Sequence, residues 1–134
     1  MAALPCEAHI GWTLKECVAH YGKQVSPPAW HKGNTIYYFH DGNLEIEAWI
    51  NDETNTVTGM QYNKPDHKEF PVVEVSKLLN ENGSDAAWTL QAKPVAGLVE
   101  WVGQIQGKTY LTASYDSFEG RGYTLIISFE PEDE

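Results

Sequence analysis

Residues 35–50, TIYYFHDGNLEIEAWI, set Asp-Gly between two stretches in which apolar and polar side chains alternate. Glycine accepts the positive φ that a two-residue hairpin loop demands, so Asp41-Gly42 reads as a type I′ turn. With that loop His40 faces Asn43, Phe39 faces Leu44, Tyr38 faces Glu45 and Tyr37 faces Ile46. Because strand side chains alternate in direction, Tyr37, Phe39, Leu44, Ile46, Ala48 and Ile50 share one face, which must be buried. Ile36, Tyr38, His40, Glu45, Glu47 and Trp49 share the other. A hairpin of this kind commits the chain to an antiparallel sheet with one apolar side, and something must cover that side.

The cover is legible as helices. Thr13-Leu-Lys-Glu16 is a capping box, in which hydroxyl and carboxylate each satisfy an otherwise orphaned N–H of a starting helix. Leu14, Cys17, Val18 and Tyr21 follow at helical spacing and Gly22 stops the run, which predicts a helix over 13–21. A second helix is expected over 71–82, with Pro71 in its first turn, Val72, Val75, Leu78 and Leu79 inward, and Gly83 at its end. The stretch 23–34, KQVSPPAWHKGN, carries too much Pro and Gly for a regular element. A third strand over 56–63 follows a polar turn at 51–55.

The second half repeats this order: a helix, then WTLQ, VEWVGQIQGKTYLTASY and YTLIISFE. The middle stretch reads as a hairpin that turns at Gln106-Gly107 or Gly107-Lys108, and both put Trp101, Gly103, Ile105, Tyr110 and Thr112 on one face. A ring opposite Gly103 would cover the backbone that glycine leaves bare. In the last strand Tyr123, Leu125, Ile127 and Phe129 alternate with Thr124, Ile126 and Ser128, which suits a half-buried strand near the sheet centre. The expected fold is a single α+β domain over 1–134. Two helix-then-antiparallel-strand halves, about 11–63 and 70–130, form one sheet layer packed against helices, and an acidic tail follows at 131–134.

At 134 residues, with 42% hydrophobic residues, five Trp, seven Tyr and four Phe, the chain can build a core without metal or disulfide. Nineteen acidic residues against nine basic ones give a net charge of −10, a field that repels nucleic acid and anionic membrane surfaces. No apolar run approaches the roughly 18 residues of a membrane helix, so the chain reads as soluble. Met1–Pro5 is too short for a signal peptide. It would also suit a chain whose leader has been exchanged for a start Met, which keeps a periplasmic or secreted location open.

Cys6-x-x-His9 and Cys17-x-x-His20 admit three readings. Together they offer four zinc ligands, yet structural zinc sites favour Cys-x-x-Cys spacing, and Cys17 belongs to the apolar stripe of its helix. A Cys6–Cys17 bridge would pin the N-terminal arm to the helix. Alternatively, Cys17 is a small buried hydrophobe and Cys6 a free thiol. A nucleophilic cysteine needs an exposed, electropositive setting, which an acidic chain with Cys17 in a core stripe lacks. No nucleophile elbow, phosphate loop, dinucleotide turn or His-Glu-x-x-His helix is present, so the sequence nominates no catalytic residue, metal ligand or cofactor. Asn82-Gly83-Ser84 fits a glycosylation sequon, although a cap and turn explains it more simply.

GWTLKECVAHYG, followed after a gap by YYFHDGNLEIEAWINDETNTVTGMQY, resembles the helix-then-meander module of beta-lactamase-inhibitor-like proteins and of small outer-membrane lipoprotein assembly factors. It is similar also to small bacterial proteins that open with a Gly-Trp-Thr helix. The likeness covers residues 11–63. It implies binding or assembly without catalytic residues, although the paired cysteines that the secreted inhibitors carry in each repeat are missing here.

The residues with most to offer a partner are Tyr38, His40, Glu45, Glu47 and Trp49 on the outer hairpin face and Trp30 in the Pro-rich stretch. Flat rings bury area at low entropy cost, and the acids favour a basic protein. The expectation is a non-enzymatic binding or inhibitory module with a protein partner. The rivals are a small ligand-binder or hydrolase-like enzyme, with a pocket between helix and sheet and His40 or His20 as acid-base group, and a homodimeric structural domain that buries the same aromatics.

Overall fold

The first helix, α1 (Leu14–Tyr21), begins where its cap dictates. The Thr13 hydroxyl accepts the Glu16 N–H at 3.2 Å, and the Glu16 carboxylate accepts the Thr13 N–H at 2.9 Å. Gly22, at φ 94°, ends it and donates to the Val18 carbonyl. Just upstream, Val57 receives Gly11 N–H at its carbonyl and donates its own N–H to Trp12, which ties the start of the helix to the sheet. The computed structural model describes residues 10–64, 68–82, 87–91, 98–105, 108–118 and 122–129. Cys6, His9, Gly83 and the tail 130–134 lie outside the described residues, and so do the readings that rest on them.

Eight strands form one antiparallel sheet: β1 (Ser26–His31), β2 (Asn34–Asp41), β3 (Leu44–Asn51), β4 (Val57–Asn63), β5 (Ala87–Leu90), β6 (Leu98–Ile105), β7 (Lys108–Phe118) and β8 (Gly122–Phe129). Their order across the sheet is β1-β2-β3-β4-β8-β7-β6-β5. Each half is thus a four-stranded meander, and the two meet where β4 pairs with β8. The second helix, α2 (Val72–Asn82), lies between them in sequence. Both helices join the same core. Cys17 of α1 and Val75, Leu78 and Leu79 of α2 pack in one cluster with Phe39, Ile46, Ala48, Met60, Tyr62, Leu125 and Ile127. Each large apolar side chain removed from water there contributes about 1.5–3 kcal/mol. The fold is α+β, dominated by strands, with one sheet face covered.

The hairpin faces are as the alternation requires: Phe39 and Ile46 are buried, Glu45 is exposed and Tyr38 is half-buried. The pairing is shifted by two residues. Asp41 faces Leu44, His40 faces Glu45, Tyr38 faces Glu47 and Tyr37 faces Ala48, so the loop is Gly42-Asn43. Gly42 takes φ 63° in the first loop position while Asn43 stays at negative φ, which is the type II′ pattern. A shift of two preserves the side-chain period, and the faces survive.

Three other expectations are corrected. The stretch 23–34 contains a strand: β1 pairs with β2 as an edge, and Pro27 and Pro28 sit where the register slips between Ser26 and Ala29. Proline is tolerated at such a place because no ladder donor is required of it. Lys32 and Gly33, at φ 49° and 87°, then make the tight turn into β2. In the second half Ile105 pairs with Lys108, the first of the two expected registers, but a bulge between Gly103 and Gln104 sets Gly103 opposite Leu111 and Thr112 opposite Val102. Leu111 and Ala113 therefore turn inward and Thr112 outward, since one inserted residue flips everything beyond it; the Tyr110 side chain lies outside the described residues. Finally, Val18 is 36% exposed, because Cys17 and its neighbours Leu14 and Tyr21 already fill the contact of a helix only eight residues long.

Gly103 does carry a ring: the Trp88 indole from β5 lies over it. The helix expected over 71–82 is present with Val75, Leu78 and Leu79 inward, while the Val72 side chain lies outside the described residues.

Candidate functional site

The two helices occupy one side of the sheet, and the outward-pointing strand side chains that are described make a surface that neither helix covers. Cross-strand register places Tyr38 beside Glu47, His40 beside Glu45 and Ile36 beside Trp49. Five of the six residues singled out in the sequence, Tyr38, His40, Glu45, Glu47 and Trp49, share this side. Trp30 does not. It pairs with Thr35, which lies opposite the core residue Ile50, so it points to the helix side at the sheet edge. There its ring is 69% exposed and its indole N–H donates to Asp52 Oδ2 at 3.0 Å, while the Thr35 hydroxyl donates to Asp52 Oδ1 at 2.7 Å. Trp30 therefore belongs to a different surface from Trp49.

Ile36 is buried although it faces outward and lies apart from the main core. Its register neighbours are Ala29 and Trp49, and the His31 ring meets Trp49 edge-on at 5.5 Å. This satellite cluster fixes the Trp49 ring, and Trp49 in turn borders a depression. Opposite Trp49 stands Gly59, whose missing side chain leaves the sheet floor bare. The depression holds about 510 Å³ and is lined by Trp49, Thr58, Gly59, Met60, Gln61, Ile126 and Ser128. A second, of about 410 Å³, shares Ile126 and Ser128 and runs on past Thr112, Ser114, Val102 and Glu100 to Gln91. Together they form a shallow trough across the seam between the halves.

The polar side chains of this face are tied mostly to one another. Gln61 Nε2 reaches Glu47 Oε2 at 3.5 Å and Asn63 Oδ1 at 3.2 Å, and Asn63 Nδ2 donates across the seam to the Thr124 hydroxyl at 2.6 Å. Glu100 and Asp116 lie diagonally on the outer side of β6 and β7. Partial burial, and then the like charge of Glu100, push the Asp116 carboxyl above its ordinary value. With Glu45 and Glu47 this makes four carboxylates. Among the outward-facing strand side chains that are described, none is Lys or Arg.

The opposite side carries a buried polar cluster. Tyr62 is wholly buried, hydrogen-bonded to Tyr21 and to Asn82, whose Nδ2 donates to the Tyr62 hydroxyl and to the Leu78 carbonyl, each at 2.9 Å. Asn82 is thus a core residue of α2, enclosed where a glycan acceptor must be accessible. Cys17 is a buried free thiol whose pKa desolvation, with a smaller contribution from Glu16, pushes up to about 12. A nucleophile requires the reverse. His20 is an exposed residue of α1 packed edge-on against Trp12 and Tyr21, at 5.2 and 4.7 Å. His40 is exposed on the other side of the sheet, so these two imidazoles do not share a pocket between helix and sheet.

Among the described residues no group of three or more His, Cys, Asp or Glu is gathered as a metal site, and no helix is long and apolar enough to cross a membrane. Comparison with family models, with curated proteins and with solved structures finds no match for this chain.

The second half of the trough has no local signature in the sequence. The alternation of Thr124, Ile126 and Ser128 is plain in the sequence, but nothing local says that β8 lies beside β4, which is what brings Ile126 and Ser128 next to Gly59 and Trp49.

Proposed function

We propose that this chain is a non-enzymatic binding or inhibitory module that takes a basic protein partner on the outward sheet face. The observation that supports it is the joint character of that face: left uncovered by helices, indented across the seam, and acidic without a described Lys or Arg. Carboxylates with no described Lys or Arg on their own face favour a partner that supplies cations, and they speed its encounter more than they tighten the complex. Trp49, whose ring is held by His31, and the half-buried Tyr38 serve as the anchors, because flat rings lose little entropy on docking. Glu45, Glu47, Glu100 and Asp116 set the charge preference. The resemblance of residues 11–63 to inhibitor-like and assembly-factor modules points the same way. Trp30, on the other surface, is left out of this interface.

The test is affinity capture from the host with three immobilised proteins: wild type, a Tyr38→Ala/Trp49→Ala double variant, and Trp30→Ala. A basic protein retained by wild type and Trp30→Ala, released by salt and lost with the double variant is the expected result. The same captured proteins on all three would overturn the reading.

A further inference from the structure

The two edges of the sheet are built differently. At one end β1 presents Pro27 and Pro28 in a register slip, a device that blunts an edge against pairing. At the other end β5, Ala87-Trp-Thr-Leu90, carries no Pro, no charge and no bulge, and nothing among the described residues pairs with its outer side. Gln91 N–H donates to the Glu100 carbonyl at 2.8 Å, which fixes the alternation of the ladder. In an antiparallel pair the bonded positions recur every second residue, so Ala87, Thr89 and Gln91 direct their amides and carbonyls to β6. Trp88 and Leu90 direct theirs outward. Leu90 is also 59% exposed, an apolar side chain at the margin of the covered face.

That pattern is self-complementary. Under a two-fold axis at Thr89, Trp88 of one chain meets Leu90 of the other in both directions, and both pairs are hydrogen-bonded ones. Four amide-to-carbonyl bonds form, each outward-directed group of Trp88 and Leu90 finds a partner, and Thr89 lies opposite its own copy as a non-bonded pair. On the helix side Leu90 covers the Trp88 of the second chain. We infer that a second copy of this chain adds to the β5 edge, joining two sheets into one of sixteen strands. The outward faces of the two copies then lie side by side in one sheet. The inference is independent of the partner proposed above.

Sedimentation tests it directly. Wild type runs as a dimer of twice 15.0 kDa, and its Trp88 and Leu90 amides exchange more slowly as concentration rises. Leu90→Pro removes an outward N–H while leaving the bonds to β6 intact, and yields a monomer with unchanged far-ultraviolet circular dichroism. A non-bonded antiparallel pair has Cα atoms about 4.5 Å apart, within disulfide reach. In a Cys6→Ser background, Thr89→Cys therefore oxidises to a covalent dimer, and Glu45→Cys does not. A monomeric wild type at every concentration overturns the inference, as does a dimer that survives Leu90→Pro or leaves Thr89→Cys unlinked. Should Leu90→Pro fail to fold, the cross-link and the amide exchange decide. Binding through the outward face is read with the Leu90→Pro monomer, so failure of either proposal is visible separately.

Discussion

The Trp88 indole rests on Gly103: a Cβ added at that glycine would stand 3.1 Å from Trp88 Cζ3 and 3.2 Å from the Cβ of Leu111. The ring could swing away, but Leu111 is buried in a central part of β7 and its Cβ is fixed by the backbone. Gly103→Ala should therefore cost about 1–3 kcal/mol, the usual penalty of overpacking. Thermal unfolding checks this, and a variant as stable as wild type would mean that β6 and β7 can part without cost.

Gly59 makes a contrasting case. Its nearest neighbours to an added Cβ are 3.7–3.8 Å away, ordinary contact distances, and its φ is not positive. Gly59→Val should keep the melting temperature within a few degrees and fill the floor of the trough beside Trp49. If the outward face binds a partner there, this variant loses the partner while its circular dichroism stays unchanged. Retained binding would move the contact elsewhere on the face.

Asn82 holds Tyr62 from within α2. Removing its amide in Asn82→Ala strands the buried Tyr62 hydroxyl short of one partner, and the loss should be about 1–3 kcal/mol. Expression in a glycosylating host should leave the mass of the wild type unchanged at this sequon. A glycan on Asn82 would show that the C-terminal turn of α2 opens readily.

Alkaline pH should destabilise the fold from pH 9 upward. Burial raises the Cys17 thiol from 9.0 to about 12, and it raises the Tyr21 and Tyr62 hydroxyls as well. Between the unfolded and folded pKa values the unfolded chain has released protons that the folded chain retains. Stability is therefore complete below pH 9 and falls as pH rises toward 12. Denaturant midpoints measured from pH 7 to 11 test the slope, and a flat profile would contradict the burial of these groups. In a Cys6→Ser background, alkylation of Cys17 should be slow until the protein is unfolded.

How much of this was legible follows from where the signals reside. The capping box and the face assignment of the first hairpin depend on residues within a few positions of one another, and both hold in the structure. The loop of that hairpin lies one residue beyond the Asp-Gly pair because Gly42 can serve either the first or the second loop position. Strand β1 was hidden by Pro27 and Pro28, which weaken a ladder in general and are tolerated here only at an edge. The bulge at Gly103 and Gln104 left no local trace, and it decided which way Leu111 and Thr112 point. Least legible was the trough. It depends on β4 lying beside β8, a pairing of residues such as Tyr62 and Leu125 that no short stretch encodes.

The junction of β4 with β8 has a further consequence during synthesis. Of the eight described strands, Gly122–Phe129 is the last to leave the ribosome, and it is the one that closes both meanders. Until it arrives, β4 and β7 each display an unsatisfied row of peptide groups next to apolar side chains such as Met60 and Ala113. The growing polypeptide is therefore at its most adhesive just before that strand emerges, when a chaperone or a neighbouring nascent chain competes for the place that one eight-residue segment will take.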